Sequence, residues 1–252
     1  MPEATVVLDK VCKSYELSSG SRINVLDEVS LSAEKGSFVA ILGPSGSGKS
    51  TILGILSGVL GHDAGSLTVP PAHEIGYVFQ TARLLPWRTV QENLDITRAA
   101  RQRQRGRGYE FSAEHYLEAA GLAQYGQFYP AAISGGMQQR TSIARALSTE
   151  PEMLLMDEPF SALDEMTARV QRSFLQKTWL EYQSTVIFVT HNVLEALTLA
   201  SSIVVVSARP ARVLDHIEVD LPRPRSLSDP RVGRLQEKIL SLLGVDSGDH
   251  MS

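Results

Sequence analysis

Short apolar segments rich in β-branched residues recur along the chain and predict the strands of a parallel sheet. They cover residues 4–8, 37–42, 75–79, 153–156, 185–190 and 203–207. Several are apolar at every position, which is typical of strands whose two faces are both covered. Longer stretches with a helical spacing of apolar residues separate them, at 49–60, 137–148 and 164–182. This alternation predicts an α/β core with a mostly parallel sheet.

Residues 88–148 interrupt the alternation, because they contain no strong strand pattern and have helical patterns instead. We predict a helical insertion over about 88–133, which is extended by the helix that starts at Met137. After residue 221 the chain has a proline-punctuated linker, followed by a short helix at about 231–243. The predicted division is therefore a core, a helical subdomain and a C-terminal tail: 1–87 with 149–220, 88–148, and 221–252.

Five arginines make part of this insertion locally basic: Arg98, Arg101, Arg103, Arg105 and Arg107. Such a run is usual for a solvated helix and loop. The alternative is a surface that faces lipid headgroups or an acidic partner, and the sequence leaves both interpretations open.

The composition narrows the class of protein. Of the 252 residues, 43% are hydrophobic and 21% charged, as in ordinary folded domains. The net charge of −4 provides no global basic field, so we do not expect nucleic acid as a partner. The single cysteine, Cys12, excludes an internal disulfide.

No apolar segment reaches the length of about 20 residues that a membrane-spanning helix needs, and the N-terminus has no secretory signal pattern. Any work at a membrane would therefore depend on a partner.

The strongest local motif is GPSGSGKST, which fits the phosphate-binding loop G-x-x-x-x-G-K-[ST]. It follows the apolar segment 37–42 and precedes a helical pattern, as this loop requires. Glycines let backbone N–H groups approach phosphate oxygens, and the helix N-terminus adds partial positive charge. We expect Lys49 to contact the β- and γ-phosphates of ATP and the Ser50 hydroxyl to ligate Mg²⁺. The predicted nucleotide-binding residues of this loop are Gly43, Pro44, Ser45, Gly46, Ser47, Gly48, Lys49, Ser50 and Thr51.

An aspartate and a glutamate directly follow the apolar segment 153–156, in the sequence MLLMDEPF. A strand of a parallel sheet delivers such residues to the carboxyl edge, so Asp157 is predicted to lie beside the phosphate loop and to orient Mg²⁺ through water. Glu158 is the candidate general base for the attacking water. Taken alone, such a pair often only begins a loop, and the phosphate loop upstream favours the catalytic interpretation.

Further motifs, taken in order, give the chain a resemblance to the ABC transporter ATPase family over residues 4–215. ISGGMQQR at 133–140 is similar to the family's signature loop, and SALD at 161–164 to its dimer-contact loop. Gln80 ends the segment IGYVF, as in the family's glutamine loop, and His191 in FVTHN resembles its switch histidine. The resemblance implies a P-loop NTPase core, an N-terminal antiparallel β part and a helical insertion.

The resemblance also implies that the chain works as a head-to-tail dimer. A predicted helix begins at the signature loop, which consists of Ser134, Gly135, Gly136 and Met137. Its N-terminus is a second place in the chain that could bind an anion. In the family this loop caps the ATP held by a second copy, so that two ATP molecules join one symmetric dimer. Asp164 belongs to the nucleotide-binding residues through the dimer-contact loop. The family's commonest signature has glutamine where Met137 stands, which leaves ATP binding undisturbed because Ser134 and the backbone hold the anion.

Three more residues acquire roles from the resemblance. His191 would contact the γ-phosphate and the attacking water, whereas the alternative is a satisfied polar residue at a strand end. Gln80 would contact Mg²⁺ or water and report the γ-phosphate to the helical insertion, and its alternative is a surface side chain. Tyr15 would stack on adenine, and its alternative is a packed aromatic of an edge strand.

The segment after Gln80 points to one group of transporters. This segment resembles the corresponding segment in ATPase subunits of importers of nitrate, sulfonates, taurine and related small anions. It reads Leu84-Leu85-Pro86-Trp87 followed by Thr89-Val90-x-Glu92-Asn93. Pro86 and Trp87 would form a stiff apolar surface on which a membrane permease docks, near Gln80–Trp87. The alternative is that Trp87 fills a local core.

The expected protein is therefore the ATPase subunit of an importer, peripheral to the cytoplasmic face of the cell membrane. It would work with a second ATPase subunit and separate integral membrane permease subunits, and indirectly with a periplasmic or extracellular substrate-binding protein. The alternatives are a soluble ABC-type ATPase acting on nucleic acid or ribosomes, an importer of another solute, and a non-catalytic nucleotide-gated module. The presence of Glu158 and His191 argues against the last of these.

Overall fold

The computed structural model describes residues 4–105, 112–161 and 163–245, with residues 98–105 described by their backbone alone. The side chains of the basic run from Arg98 to Arg107, and Ala162 of the SALD segment, lie outside the described part. Within the described ranges no helix combines the length and the apolar character needed to cross a lipid bilayer.

The described residues form strands and helices that alternate between residues 153 and 206, whereas the described part of residues 90–147 contains helices alone. The strands are β1 (Ala4–Glu16), β2 (Arg22–Glu34), β3 (Phe38–Leu42), β4 (Ala64–Thr68), β5 (Ile75–Val78), β6 (Met153–Asp157), β7 (Thr185–Thr190), β8 (Ser202–Val206) and β9 (Val213–Glu218). The helices are α1 (Lys49–Leu56), α2 (Val90–Arg105), α3 (Ala113–Ala119), α4 (Gly135–Leu147), α5 (Glu165–Tyr182), α6 (Val193–Leu199) and α7 (Pro230–Leu242). They form two compact units, one of residues up to Ala72 together with those from Thr185 onward, the other His73–Ser184. The three-part division based on the sequence stays a prediction.

An antiparallel sheet in the order β2-β1-β4 belongs to the first unit. In the second half of β2, Val29, Leu31 and Ala33 are buried and the residues between them are exposed. This alternation is typical of a sheet with one covered face. Glu28, with φ of 50°, lies at a shift of the register between β1 and β2 and interrupts the alternation.

The parallel strands of the first unit follow one another in the order β7-β3-β8, and β9 is antiparallel to β8. Every residue of β3, β7 and β8 is buried, as the continuous apolar segments predicted. Phe38 and Phe188 meet edge to face across β3 and β7, with ring centroids 6.0 Å apart. The edge where β3 and β7 end carries the loops described below.

Helix α1 is shorter than the pattern over 49–60 predicted. It ends at Leu56. In its last turn the backbone N–H of Ser57 donates to the Leu53 carbonyl oxygen, and that of Gly58 donates to the Ile55 carbonyl oxygen. Gly58 has φ of 73°, a left-handed conformation that terminates helices and favours glycine. The prediction of helix beyond residue 56 was wrong for this reason.

The second unit consists of the parallel pair β5 and β6 and the helices α2 to α5. The helical patterns predicted between residues 92 and 148 are confirmed as α2, α3 and α4. Its core contains apolar side chains from each helix, among them Leu94, Leu117, Ile143, Leu147 and Leu175. These helices position the two loops that precede α4 and α5.

The C-terminal segment of the first unit is tied to helix α6. The guanidinium group of Arg225 donates to the carbonyl oxygens of Leu197 and Ala200 at the end of α6, and to that of Val219. Its burial lowers the pKa of Arg225 to about 10. Helix α7 follows, with Asp229 as its N-cap.

Candidate functional site

The loop Gly43–Gly48 connects β3 to α1 at the carboxyl end of the strand. Gly48 is the N-cap of α1 and has a φ of 107°, a backbone conformation that residues other than glycine rarely adopt. A Cβ atom on Gly48 would lie 2.9 Å from Val25 Cγ1 and 3.1 Å from Leu26 Cδ2 of β2. The antiparallel sheet therefore packs directly against the start of α1, and only glycine fits at the contact.

Lys49 and Ser47 bring polar groups into the loop. The Lys49 side chain is only 4% exposed, and its Nζ donates to the carbonyl oxygens of Gly43 and Pro44 at 2.9 Å each. Ser47 Oγ is buried and has no hydrogen-bond partner among the described residues. A buried hydroxyl without a partner costs free energy, which a ligand with hydrogen-bonding groups removes. The loop thus has the charge and the donors that suit a polyphosphate.

Arg209 is a further residue at this loop, which the motifs did not indicate. Its guanidinium Nη2 donates to the carbonyl oxygen of Gly46 at 3.0 Å. The segment after β8 is held beside β2, because the backbone N–H of Ala211 donates to Val25 and that of Asp27 donates to Ala211. Arg209 therefore adds a positive charge next to the loop.

His191 lies at the same edge of the sheet as the phosphate loop. Strands β3 and β7 are parallel neighbours, and Leu42 pairs with Thr190. Gly43 and His191 are the next residues of the two strands, so both leave the sheet at the same level. The prediction that His191 follows a strand end is met, and the sheet register brings it beside the loop.

Tyr15 is near the end of β1 and pairs with Ile23 of β2, two residues before Val25. Strand β1 lies between β2 and β4, and its pairing with β4 runs from Val7 to Cys12, so the alternative of an edge-strand aromatic at Tyr15 stays a prediction. The ring is partly exposed, and the Lys13 ammonium lies 5.5 Å from its centroid. An exposed ring on the strand next to Val25 suits the predicted stacking on a nucleotide base.

In the second unit, Asp157, Glu158 and Gln80 share one edge of the strand pair. Strands β5 and β6 are parallel, and Val78 pairs with Met156. Asp157 ends β6, and burial followed by the nearby charge of Asp157 raises the pKa of Tyr77 on β5 to about 12. Glu158 has φ of 42°, an unfavourable conformation for a side chain of this size.

A hydrogen-bond chain joins Gln80 to Glu158 through Ser161. Gln80 Nε2 donates to Ser161 Oγ at 3.0 Å, and Ser161 Oγ donates to the Glu158 carbonyl oxygen at 3.0 Å. The Ser161 backbone N–H donates to the same carbonyl at 3.2 Å. The strained Glu158 is therefore held by the residue that also fixes Gln80.

The signature loop begins α4 with one exposed and one packed glycine. Ser134 is the N-cap, and its hydroxyl accepts from the Met137 backbone N–H at 3.3 Å. Ser134 and Gly135 are exposed, whereas Gly136 is buried against α5. Gln171 Nε2 on α5 donates to the Gly136 carbonyl at 2.8 Å. The loop therefore presents a hydroxyl and the start of a helix to the surface.

Asp164 caps the neighbouring helix α5 in the same way, and its carboxylate accepts from the Thr167 backbone N–H at 3.0 Å. The side chain and then the backbone of Thr167 lower the pKa of Asp164 below its ordinary value by hydrogen bonding. Gln80 and Gly135 also line one cavity of about 200 Å³ in this unit. The glutamine loop and the signature loop thus meet at this cavity.

The predicted site residues accordingly fall into two groups, one in each unit. The phosphate loop with Ser45, Ser50 and Thr51, His191 and Tyr15 belong to the first unit, and the glutamine loop, the Asp–Glu pair, the signature loop and Asp164 to the second. Within the described ranges no group of three or more His, Cys, Asp or Glu side chains could hold a metal ion by itself.

Comparisons with known proteins identify the family. A family model described as ABC transporter matches residues 26–161. The aliphatic sulfonates import ATP-binding protein SsuB of Bacillus cereus is 38% identical over 94% of this chain and 94% of its own length. An uncharacterised ABC transporter ATP-binding protein of Methanocaldococcus jannaschii is 36% identical over 94% of this chain and 90% of its own.

Solved structures agree with this assignment. The ATP-binding cassette MJ0796, in a dimeric structure of a post-hydrolysis state bound to ADP and Pi, matches with a TM-score of 0.73 and 30% identity. The match covers 86% of this chain and 100% of that one. The predicted α/β cassette, with its antiparallel β part and helical insertion, is confirmed. Since the family model covers more than half of the chain and the relatives align over nearly all of it, the chain belongs to the ATP-hydrolysing ATP-binding proteins of ABC transporters.

Proposed function

We propose that this chain is the ATPase subunit of an ABC importer, in which ATP binding closes a head-to-tail dimer and hydrolysis reopens it. The observation that carries the proposal is the start of α4. Ser134 and Gly135 are exposed there, while Gly136 is fixed against α5 by the Gln171 amide. Donors that face solvent from a rigid helix start suit the phosphates of an ATP molecule bound to another copy.

ATP is held on the first unit by the loop Gly43–Thr51. Lys49 already lies inside the loop, and contact with the β- and γ-phosphates would replace its bonds to the Gly43 and Pro44 carbonyls. The unpartnered Ser47 hydroxyl supplies a further polar group. Tyr15 stacks on the adenine ring.

Mg²⁺ accompanies ATP in this proposal, and the oxygen donors of the predicted residues suit it. The residues that would hold it are Ser50, Gln80 and Asp157, which offer a hydroxyl, an amide and a carboxylate oxygen. Mg²⁺ usually takes one or two such ligands from the protein and the rest from phosphates and water. Bound in this way, it neutralises charge that develops on the phosphate oxygens.

Hydrolysis rests on Glu158, His191 and Gln80. Glu158 takes the proton of the attacking water as general base, and His191 contacts the γ-phosphate. Gln80 orients the water, and its bond to Ser161 ties it to the backbone of Glu158. Loss of the γ-phosphate then removes the contact that both copies share, so the dimer reopens.

The membrane partners in this proposal are integral permease subunits that dock near Gln80–Trp87. Trp87 is 68% exposed, which excludes the alternative in which it fills a local core. An exposed aromatic beside the glutamine loop gives a partner helix an apolar anchor. The chain would thus be peripheral to the cytoplasmic face of the membrane, and a substrate-binding protein outside would deliver the solute.

The solute class is a small anion such as nitrate, a sulfonate or taurine. Its support is the segment 84–93 and the similarity of the chain to the sulfonates import ATP-binding protein of Bacillus cereus. The predicted division into a core of 1–87 with 149–220, a helical subdomain of 88–148 and a tail of 221–252 is part of the same proposal.

Substitution of the general base tests this function directly. Glu158→Gln is expected to lower ATP hydrolysis by about 10²-fold or more, since general bases contribute about 10²–10⁴-fold. The variant should also be a dimer with ATP and a monomer without it, measured by size-exclusion chromatography with light scattering. Glu118→Gln, which changes an exposed acid on α3, serves as the matched control. Near-normal hydrolysis by Glu158→Gln, or only monomer with ATP, would contradict the proposal.

A further inference from the structure

The turn that carries His191 is closed by a ring of hydrogen bonds. Thr190 Oγ1, at the end of β7, donates to Glu195 Oε2 on α6 at 2.6 Å. Thr190 Oγ1 also accepts from the Asn192 backbone N–H at 3.0 Å. Asn192 Oδ1 then accepts from the backbone N–H groups of Leu194 and Glu195, at 2.9 and 3.2 Å. His191 is thus the central residue of a turn whose two ends are bonded to each other.

The two side chains that close the ring are buried. Thr190 is 2% and Glu195 6% exposed, whereas His191 itself is exposed. Placing a carboxyl group out of contact with water costs free energy unless hydrogen bonds compensate. The N-cap Asn192 satisfies the start of α6 without the help of Glu195. The carboxyl group of Glu195 therefore contributes something that capping of α6 does not require.

The elements on both sides of the turn are fixed. Strand β7 is bonded to β3 up to the pair Leu42 and Thr190, one residue before the phosphate loop. At the other end of α6, Arg225 binds the carbonyl oxygens of Leu197 and Ala200. With both anchors rigid, the bond between Thr190 and Glu195 sets where the backbone of His191 stands at the edge of the sheet. A displacement of a reacting group by about 1 Å can cost about 10²-fold in rate.

We propose that Thr190 and Glu195 are positioning residues for His191, holding its imidazole where it contacts the γ-phosphate. The proposal rests on the function assigned above to His191. It predicts a selective effect: loss of the Thr190–Glu195 bond slows the chemical step and leaves ATP binding intact, because neither side chain belongs to the phosphate loop.

The experiment compares Thr190→Val, which keeps the shape and removes the hydroxyl, with Thr190→Ser, which keeps the hydroxyl. Thr190→Val is expected to lower kcat by about 10-fold with KM for ATP changed by less than about 2-fold. Thr190→Ser should retain most of the activity. Thr198→Val is the matched control, because Thr198 is on α6 like Glu195 and its hydroxyl donates to the Leu194 carbonyl outside the ring.

A second pair addresses the carboxyl partner. Glu195→Gln keeps an oxygen that accepts from the Thr190 hydroxyl and should retain most of kcat. Glu195→Leu removes the acceptor and should resemble Thr190→Val. Thermal unfolding of each variant shows whether it is folded, and the two threonine variants carry the test if Glu195→Leu is not.

Single-turnover hydrolysis in the His191→Ala background separates positioning from general stability. If Thr190 acts through His191, Thr190→Val has no further effect once the imidazole is gone. An equal loss of rate in both backgrounds would overturn the positioning proposal and leave the function of His191 in place. Wild-type hydrolysis by His191→Ala would overturn the function of His191, and the positioning proposal with it. Wild-type kcat in Thr190→Val would overturn the positioning proposal alone.

Discussion

Replacement of Gly136 by alanine probes the contact that fixes the signature loop on α5. A Cβ atom at this position would lie 2.6 Å from Thr167 Cγ2, whereas it would have no neighbour within 4 Å at Gly135. Carbon atoms in contact are about 3.5 Å apart, so the overlap at Gly136 is about 0.9 Å. Overpacking of this kind costs about 1–3 kcal/mol in a well-packed region.

The overlap has no easy relief. Rotation of the Thr167 side chain would move Cγ2 away, but it would also break the hydrogen bond between this side chain and the Asp164 carboxylate. Withdrawal of α5 would stretch the bond from Gln171 to the Gly136 carbonyl. We therefore expect Gly136→Ala to lower the free energy of unfolding by about 2 kcal/mol, which corresponds to about 4–8 °C in Tm for a chain of this size.

Thermal unfolding of purified protein without nucleotide, followed by circular dichroism, measures this effect. Gly135→Ala is the adjacent control. It should leave Tm unchanged or raise it slightly, because a Cβ atom at Gly135 meets no neighbour. Thr167→Ser removes the clashing methyl group and keeps the hydroxyl, so it should restore the Tm of Gly136→Ala. A Tm of Gly136→Ala equal to that of the wild type, or a loss that Thr167→Ser does not relieve, would refute the reasoning.

Three further substitutions test individual parts of the account. Lys49→Ala should weaken ATP binding by about 10- to 100-fold, because hydrogen bonds to charged groups contribute about 1.5–3 kcal/mol; calorimetric titration with unchanged affinity would count against it. Trp87→Ala should leave ATP affinity and the hydrolysis of the isolated chain unchanged and reduce solute uptake in vesicles containing the permease. A selective loss of ATP affinity would contradict the docking role. Ser161→Ala should lower kcat about 5-fold, since Gln80 loses its hydrogen bond to the Ser161 hydroxyl, which is worth about 1 kcal/mol. Steady-state kinetics with a raised KM and an unchanged kcat would be the opposite outcome.

The parts of the fold that the sequence predicts well are those with a continuous local pattern. The strands β3, β7 and β8 are buried at every residue, so their apolar segments match the structure almost residue by residue. The loop between β3 and α1 is equally local in origin, because the positions that the motif fixes, Gly43, Gly48, Lys49 and Ser50, lie close together in the sequence. Helix α5 matches its pattern from Glu165 to Tyr182.

Other strands carry no such pattern. Strand β4 is almost entirely exposed, and β9 alternates between exposed and partly buried residues with one fully buried. The alternation of β2 is displaced at Glu28, whose positive φ no local rule predicts. These strands exist because neighbouring strands supply their hydrogen bonds, and a partner distant in sequence leaves no local signal.

The candidate site divides in the same way. Lys49, Asp157, Ser134 and His191 could be proposed from the sequence because their motifs are local. Arg209 could not, since its bond to Gly46 joins residues 163 positions apart. A charged residue after a strand has no distinctive spacing, and only the turn that returns to β2 brings it to the loop.

The claim that two copies share each ATP is tested most directly by mixing two inactive variants. Lys49→Ala disables the phosphate loop, and Ser134→Arg blocks the cap without touching that loop. In a head-to-tail dimer that contains one copy of each, one ATP site combines two intact halves and the other combines two defective halves. We expect the mixture to recover ATP hydrolysis, up to about a quarter of the wild-type rate for equal amounts, because half of the dimers contain one copy of each variant. A mixture no more active than the separate variants would show that loop and cap act within one chain, and would contradict the account.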